Sequence, residues 1–250
     1  MLTHPTLEKL RTLRLTGMAD AFQEQLSQPL SDLDFESRLG LLVEREYYLR
    51  ENRRLKRRLQ QAKLQQAACI EDIDFHRQRG LNKSRILELS QGQWIHQHLN
   101  ILITGSTGCG KTYLACALAH KACLQGLTSR YYRLPRLCHE LKIARANGSY
   151  MQWLSQIAKV NILILDDWGL VALDDEHRRD LLEVIDDRYK QSSTIITSQL
   201  PTTHWHEYIN DPTLADAILD RLLHNSIKLE LKGDSLRKNQ KTLQEPQFGV

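Results

Sequence analysis

Two textures of hydrophobic spacing divide the chain. From residue 7 to about residue 68, apolar positions recur at helical intervals among good helix formers; Gly17 and Gly40 are the only glycines there, and Pro29 separates two helical stretches. Beyond Gly80 the pattern changes to short apolar and β-branched runs at 99–104, 129–133, 160–166, 194–198 and 227–231, alternating with helical segments. This alternation predicts an α/β fold with a five-stranded, mostly parallel sheet covered on both faces, preceded by a small all-helical N-terminal domain. Charges, Gly80 and the loss of long helical periodicity coincide between 69 and 81. The predicted division is a helical domain over 1–70, an α/β domain over 71–238 and a loose polar tail over 239–250.

Between the first predicted strand and a helix beginning near Gly110 stands Gly105-Ser106-Thr107-Gly108-Cys109-Gly110-Lys111-Thr112, which fits G-x-x-x-x-G-K-[ST]. Glycines let such a backbone turn its N–H groups onto phosphate oxygens, and the helix N-terminus adds partial positive charge. The motif, with Tyr113 following it, is the candidate ATP contact. Lys111 is expected to neutralise the β and γ phosphates, and the Thr112 hydroxyl to ligate magnesium. Magnesium also needs a carboxylate at the end of a neighbouring buried strand, which Ile162-Leu163-Ile164-Leu165-Asp166-Asp167 supplies. Asp166 is the expected metal-side acid. Asp167 is placed to polarise or deprotonate the attacking water, although an acid there can also merely cap the following turn.

Composition narrows the rest. The 250 residues are 41% hydrophobic, enough to fill one α/β core and a smaller one, and the net charge of +4 permits a nucleic-acid partner without requiring one. No run approaches the roughly 20 apolar residues of a membrane span, so a cytoplasmic protein with no membrane contact is expected. Cys69, Cys109, Cys116, Cys123 and Cys138 are odd in number and form no Cys-x-x-Cys pair, which argues against a disulfide framework or zinc site. The seven-residue spacing of Cys109, Cys116 and Cys123 stacks them on one side of a helix, as small core residues. The pairs His96/His98 and His204/His206 lack further ligands for a metal, and Trp205 between the latter reads as a packing anchor.

Charge is concentrated at 45–63, where eight basic residues face only Glu46 and Glu51, a net of +6 over 19 residues. Arg50, Arg53, Arg54, Arg57 and Arg58 follow i, i+3, i+4, i+7, i+8 and form one stripe, with Tyr48, Leu55, Leu59 and Ala62 expected on the opposite, packed face. Such a stripe can bridge duplex phosphates without reading bases. It equally fits a solvated helix face or an acidic protein partner.

These elements together resemble the AAA+ ATPases, and more narrowly the family joining IstB-type transposition helpers and DnaC-type helicase loaders. The resemblance rests on Asn100-Ile101-Leu102-Ile103-Thr104 entering the P-loop, Asp166-Asp167-Trp168-Gly169, Thr194-Ile195-Ile196-Thr197-Ser198-Gln199-Leu200-Pro201, and Asp220-Arg221-Leu222-Leu223-His224. The start, Leu10-Arg11-Thr12-Leu13-Arg14-Leu15-Thr16-Gly17-Met18-Ala19, is similar to IstB-type helpers. The resemblance implies an AAA+ P-loop ATPase that forms a homo-oligomer with ATP on duplex DNA and recruits or stimulates a partner transposase, hydrolysis resetting the complex. A replicative helicase loader is the alternative; a small-molecule P-loop kinase and a non-hydrolysing scaffold are more distant rivals. It further implies a sensor 1 position at Ser198 and Gln199, an arginine finger at Arg221 acting on a neighbouring subunit, and a sensor 2 arginine at Arg237. From residues alone, Arg221 can also be a surface arginine paired with Asp216 or Asp220. Asp167 stands where most AAA+ members carry glutamate, and its shorter reach predicts slow hydrolysis. Little chain remains beyond the fifth strand, so the C-terminal lid is expected to be short or missing.

Overall fold

The structure, a computed structural model, describes residues 4–27, 33–75 and 80–233. Pro29, Arg237 and the tail 239–250 lie outside the described residues. Its contacts divide the chain into two compact units after Arg57.

The first unit holds α1 (Pro5–Thr12), α2 (Thr16–Ser27) and the start of α3 (Phe35–Ala62). Its organising contact is the crossing of α2 over α3. A Cβ on Gly17 would lie 2.8 Å from Glu46 Cα, so only glycine allows this approach. Glu46 is 6% exposed and accepts the Gly17 and Met18 N–H groups at 2.7 and 3.2 Å, which satisfies orphan donors in the first turn of α2. Burial pushes the Glu46 carboxyl pKa up, but bonds from Arg50, Met18 and Gly17 outweigh it and hold the group below its ordinary value.

Helix α3 stops at Ala62 rather than near 68, because Lys63 takes the left-handed conformation, φ 47°. The segment after it is irregular, and Ala68, Ile70 and Ile73 enter the core of the second unit. There follow α4 (Lys83–Ser90), α5 (Gln93–His96), β1 (Asn100–Gly105), α6 (Lys111–Leu124), β2 (Ser129–Arg133), α7 (Leu134–Ala146), α8 (Tyr150–Ala158), β3 (Ile162–Trp168), α9 (Asp175–Arg188), β4 (Ser193–Ser198), a 3-10 turn, α10 (Trp205–Ile209), α11 (Pro212–Leu223) and β5 (Ser226–Leu231).

The five strands lie in the order β2-β3-β4-β1-β5, every pairing parallel. Ile162, Leu163, Ile164 and Leu165 are all 0% exposed, as a strand covered on both faces requires. Alternation then splits the strand between two cores. Ile162 and Ile164 pack with Ile101, Ile103 and α6, whereas Leu163 and Leu165 pack with Leu102 and α7 to α11. Trp205 is fully buried, its ring 5.0 Å from that of Trp168, so the packing anchor expected from sequence is real. Cys116 and Cys123 are buried in α6, but Cys109 precedes the Gly110 cap and belongs to the loop rather than to the helix.

Candidate nucleotide site

In an open parallel sheet, the carboxyl ends of the strands are where ligands bind. There β1 runs into the loop 105–110, and α6 opens behind Gly110, φ 100°, with no side chain capping its first turn. Gly105 cannot be replaced: its φ is 148°, and a Cβ would lie 2.2 Å from the Leu231 carbonyl oxygen of β5. The uncapped N–H groups of a 14-residue helix face this loop, which is the arrangement an anionic phosphate needs.

Lys111 Nζ donates to the Gly105 and Ser106 carbonyl oxygens, each at 2.8 Å, and is 9% exposed. Thr112 Oγ1 lies 3.1 and 2.9 Å from the two oxygens of Asp166. Ser106 Oγ donates to the Gly233 carbonyl and Thr107 Oγ1 to Gln199 Oε1. The Tyr113 hydroxyl bonds the backbone of Cys69, fastening the irregular segment beside α6. A cavity of about 480 Å³ lies over these groups, with Lys111, Thr112, Asp166, Asp167 and Gln199 in its wall.

Consecutive strand residues normally face opposite sides, yet Asp166 and Asp167 both reach this cavity. The cause is local. Asp167 has φ 62°, and the register between β3 and β4 slips between Leu165 and Trp168, a bulge that turns Asp167 back toward its neighbour's side. The neighbouring strands then supply partners. From β2, the Tyr131 hydroxyl donates to Asp166 Oδ2 at 2.6 Å, and Arg133 Nε donates to Asp167 Oδ2 at 2.5 Å. From β4, Thr197 Oγ1 donates to Asp166 Oδ1. The bond to Asp167 raises the Arg133 pKa; burial, and then Asp166, raise that of Tyr131.

Sequence reading missed Tyr131, Arg133 and Thr197. A signal was present: Tyr131 and Arg133 stand two apart near the end of a strand, and Thr197 is a polar residue in a buried one. Strand order, which makes β2 and β4 the neighbours of β3, was needed to use it. Ser198 and Gln199 reach different places. Ser198 Oγ donates to the Trp168 carbonyl and accepts from Leu200 N–H, whereas the Gln199 side chain meets the loop at Thr107.

Arg221 sits near the end of α11, outside the cavity wall, with Nε 2.5 Å from Asp186 Oδ1. Asp216 and Asp220 instead pair with His206 and His224. In the arginine stripe, Arg50 bonds Glu46 and the Arg14 carbonyl and Arg53 bonds Thr16, so this end of the stripe is tied to the start of α2, although both arginines remain exposed. Tyr48, expected on the packed face, is 56% exposed. Farther along α3, Leu55 and Leu59 are half-buried and Ala62 is buried; Arg54 pairs with Glu51, Arg57 is exposed, and Arg58 donates to the Cys123 carbonyl.

A family model described as IstB-like ATP binding protein matches residues 8–244. The chain belongs to this family. It is 50% identical over 242 residues to an insertion-sequence ATP-binding protein of Sinorhizobium fredii, covering 96% of this chain and 99% of that one. With the ATP-binding protein of insertion sequence IS1162 from Pseudomonas fluorescens it shares 53% identity over 81% of this chain and 89% of the relative. Among solved structures, it is similar to DnaI, with TM-score 0.58, 22% identity and coverage of 66% of this chain and 91% of that one. The DnaC helicase loader gives TM-score 0.53 and 21% identity over 66% of this chain and 97% of that one. At those identities the likeness establishes the AAA+ fold. The family description is that of an ATP-binding protein, for which the loop 105–110 and the acid pair described above are the candidate site.

For a metal, this region offers the Thr112 hydroxyl and the carboxylates of Asp166 and Asp167, all oxygen donors. That set suits magnesium, a hard cation that takes one or two carboxylates together with substrate phosphates.

Proposed function

We propose that this IstB-like chain is an ATP-hydrolysing helper of insertion-sequence transposition, which assembles with ATP on duplex DNA and acts on a partner transposase. The observation carrying the ATPase part is the Thr112–Asp166 contact, which joins the first turn of α6, directly after the phosphate loop, to the acid of β3. The insertion-sequence relatives, at up to 53% identity, support the transposition part.

In this reading the loop N–H groups and Lys111 hold the phosphates, and Lys111 leaves the carbonyls of Gly105 and Ser106 to do so. Thr112 and Asp166 hold magnesium, which when bound neutralises phosphate charge. Asp167 accepts the proton of the attacking water once Arg133 releases it, and Gln199, just past the end of β4 and tied to Thr107, senses the loop. Arg221 acts on the ATP of an adjacent subunit, since in its own chain it stands away from the cavity wall. The exposed arginines of α3 contact phosphates of the duplex.

Fluorescence anisotropy with labelled duplex and single-stranded DNA, across a salt series with ATP, ADP or no nucleotide, tests the reading. Tight duplex binding only with ATP is expected. A preference for single strands would turn the reading toward helicase loading, and no DNA binding with any nucleotide would overturn it.

A further inference from the structure

Asp166 is 4% exposed, and its carboxylate is held from three directions. The Thr112 hydroxyl, in the first turn of α6, lies within hydrogen-bond distance of both oxygens, Thr197 of β4 bonds Oδ1, and Tyr131 of β2 bonds Oδ2 at 2.6 Å. Strands β2 and β4 flank β3, so each neighbour contributes one hydroxyl to one oxygen, and rotation of the carboxylate would break both bonds. The Tyr131 ring is itself fixed: it is 7% exposed, packs in the core beside α6 and pairs in register with Ile164.

We propose that Tyr131 is a positioning residue for the metal-side acid, its hydroxyl holding Asp166 in the orientation in which that carboxylate and Thr112 receive magnesium with ATP. The inference rests on the reading of Asp166 as that acid. A phenol suits the task because it has a single proton to give, and Asp166 is the acceptor it reaches. A tyrosine that served only to fill the core would be replaced by phenylalanine without consequence for the metal. Loss of a group that orients a metal-binding carboxylate instead weakens metal affinity by about tenfold or more.

The test is Tyr131→Phe in the full chain, which removes one oxygen and leaves the ring in its cavity. Binding of a ribose-labelled fluorescent ATP analogue is measured in EDTA and then against rising magnesium chloride. The expected result is a half-saturating magnesium concentration raised about tenfold, with analogue affinity in EDTA and melting temperature unchanged. Superimposable magnesium curves for variant and parent would overturn the proposal, as would an equal loss of affinity in EDTA, which marks general damage to the site. Parent binding that ignores magnesium altogether would overturn the reading of Asp166 first and this inference with it.

Discussion

Arg133 Nε stands 2.5 Å from Asp167 Oδ2, so the acid best placed to activate water is occupied by a cation from the neighbouring strand. The side chains are 53% and 25% exposed, which limits such a pair to about 1 kcal/mol, or roughly a fivefold effect on rate. Freeing Asp167 should therefore raise turnover. We expect Arg133→Gln to hydrolyse ATP several-fold faster than the parent in the absence of DNA, and Asp167→Asn to bind ATP but not hydrolyse it. A steady-state phosphate-release assay decides; normal turnover in Asp167→Asn would remove that residue from the mechanism.

Arg221 is held by Asp186 and by the Ala217 carbonyl, and its side chain is 27% exposed. If it serves a neighbouring subunit, Arg221→Ala should leave ATP binding intact while lowering hydrolysis by about a thousandfold. Mixing Arg221→Ala with Lys111→Ala chains is the sharper measurement. Each supplies what the other lacks, so mixed assemblies should regain part of the activity, and the absence of any regain would rule out action between subunits.

Glu46 should contribute to the acid sensitivity of the N-terminal unit. Its folded-state pKa lies below the ordinary 4.5, so its contribution is complete above that value and is lost as pH falls through the lower folded value. Circular-dichroism melts should show stability falling as the solution is acidified below about pH 4.5, with a smaller fall in Glu46→Gln. At neutral pH, Gly17→Ala should destabilise the unit by about 1–3 kcal/mol, because the added methyl meets the α3 backbone. An unchanged melt would mean that the helices separate there at little cost.

The arginines of α3 should divide by what they touch. Arg57 is exposed, and its removal should lower the slope of log affinity against log salt by about 0.9 without shifting the melting temperature. Arg50 bonds Glu46, and Arg50→Ala should act mainly through stability. Identical salt slopes for Arg57→Ala and the parent would remove that residue from the DNA contact.

Much of the α/β unit is written in short-range pattern. The run from Ile162 to Leu165, the motif 105–112 and the two acids at the end of that run all depend on residues adjacent in sequence, so spacing alone identifies them. The helical N-terminal stretch was legible in the same way, but its end was not: Lys63 adopts φ 47°, and the segment beyond is drawn into the sheet's core by Ala68, Ile70 and Ile73. Packing likewise overrode periodicity on α3. Its spacing fixed which residues share a face, but the Gly17 crossing decided which face is covered.

At the candidate site the sequence determined the chemistry, and tertiary structure decided its geometry. Lys111, Thr112, Asp166 and Asp167 could be named without coordinates. That both acids face one cavity depends on the positive φ of Asp167 and the bulge against β4. That Tyr131, Arg133 and Thr197 reach them depends on strand order, which joins residues more than 30 positions apart. Spacing describes what a strand or helix can present, whereas the partners it meets are set by non-local packing that a linear pattern does not encode.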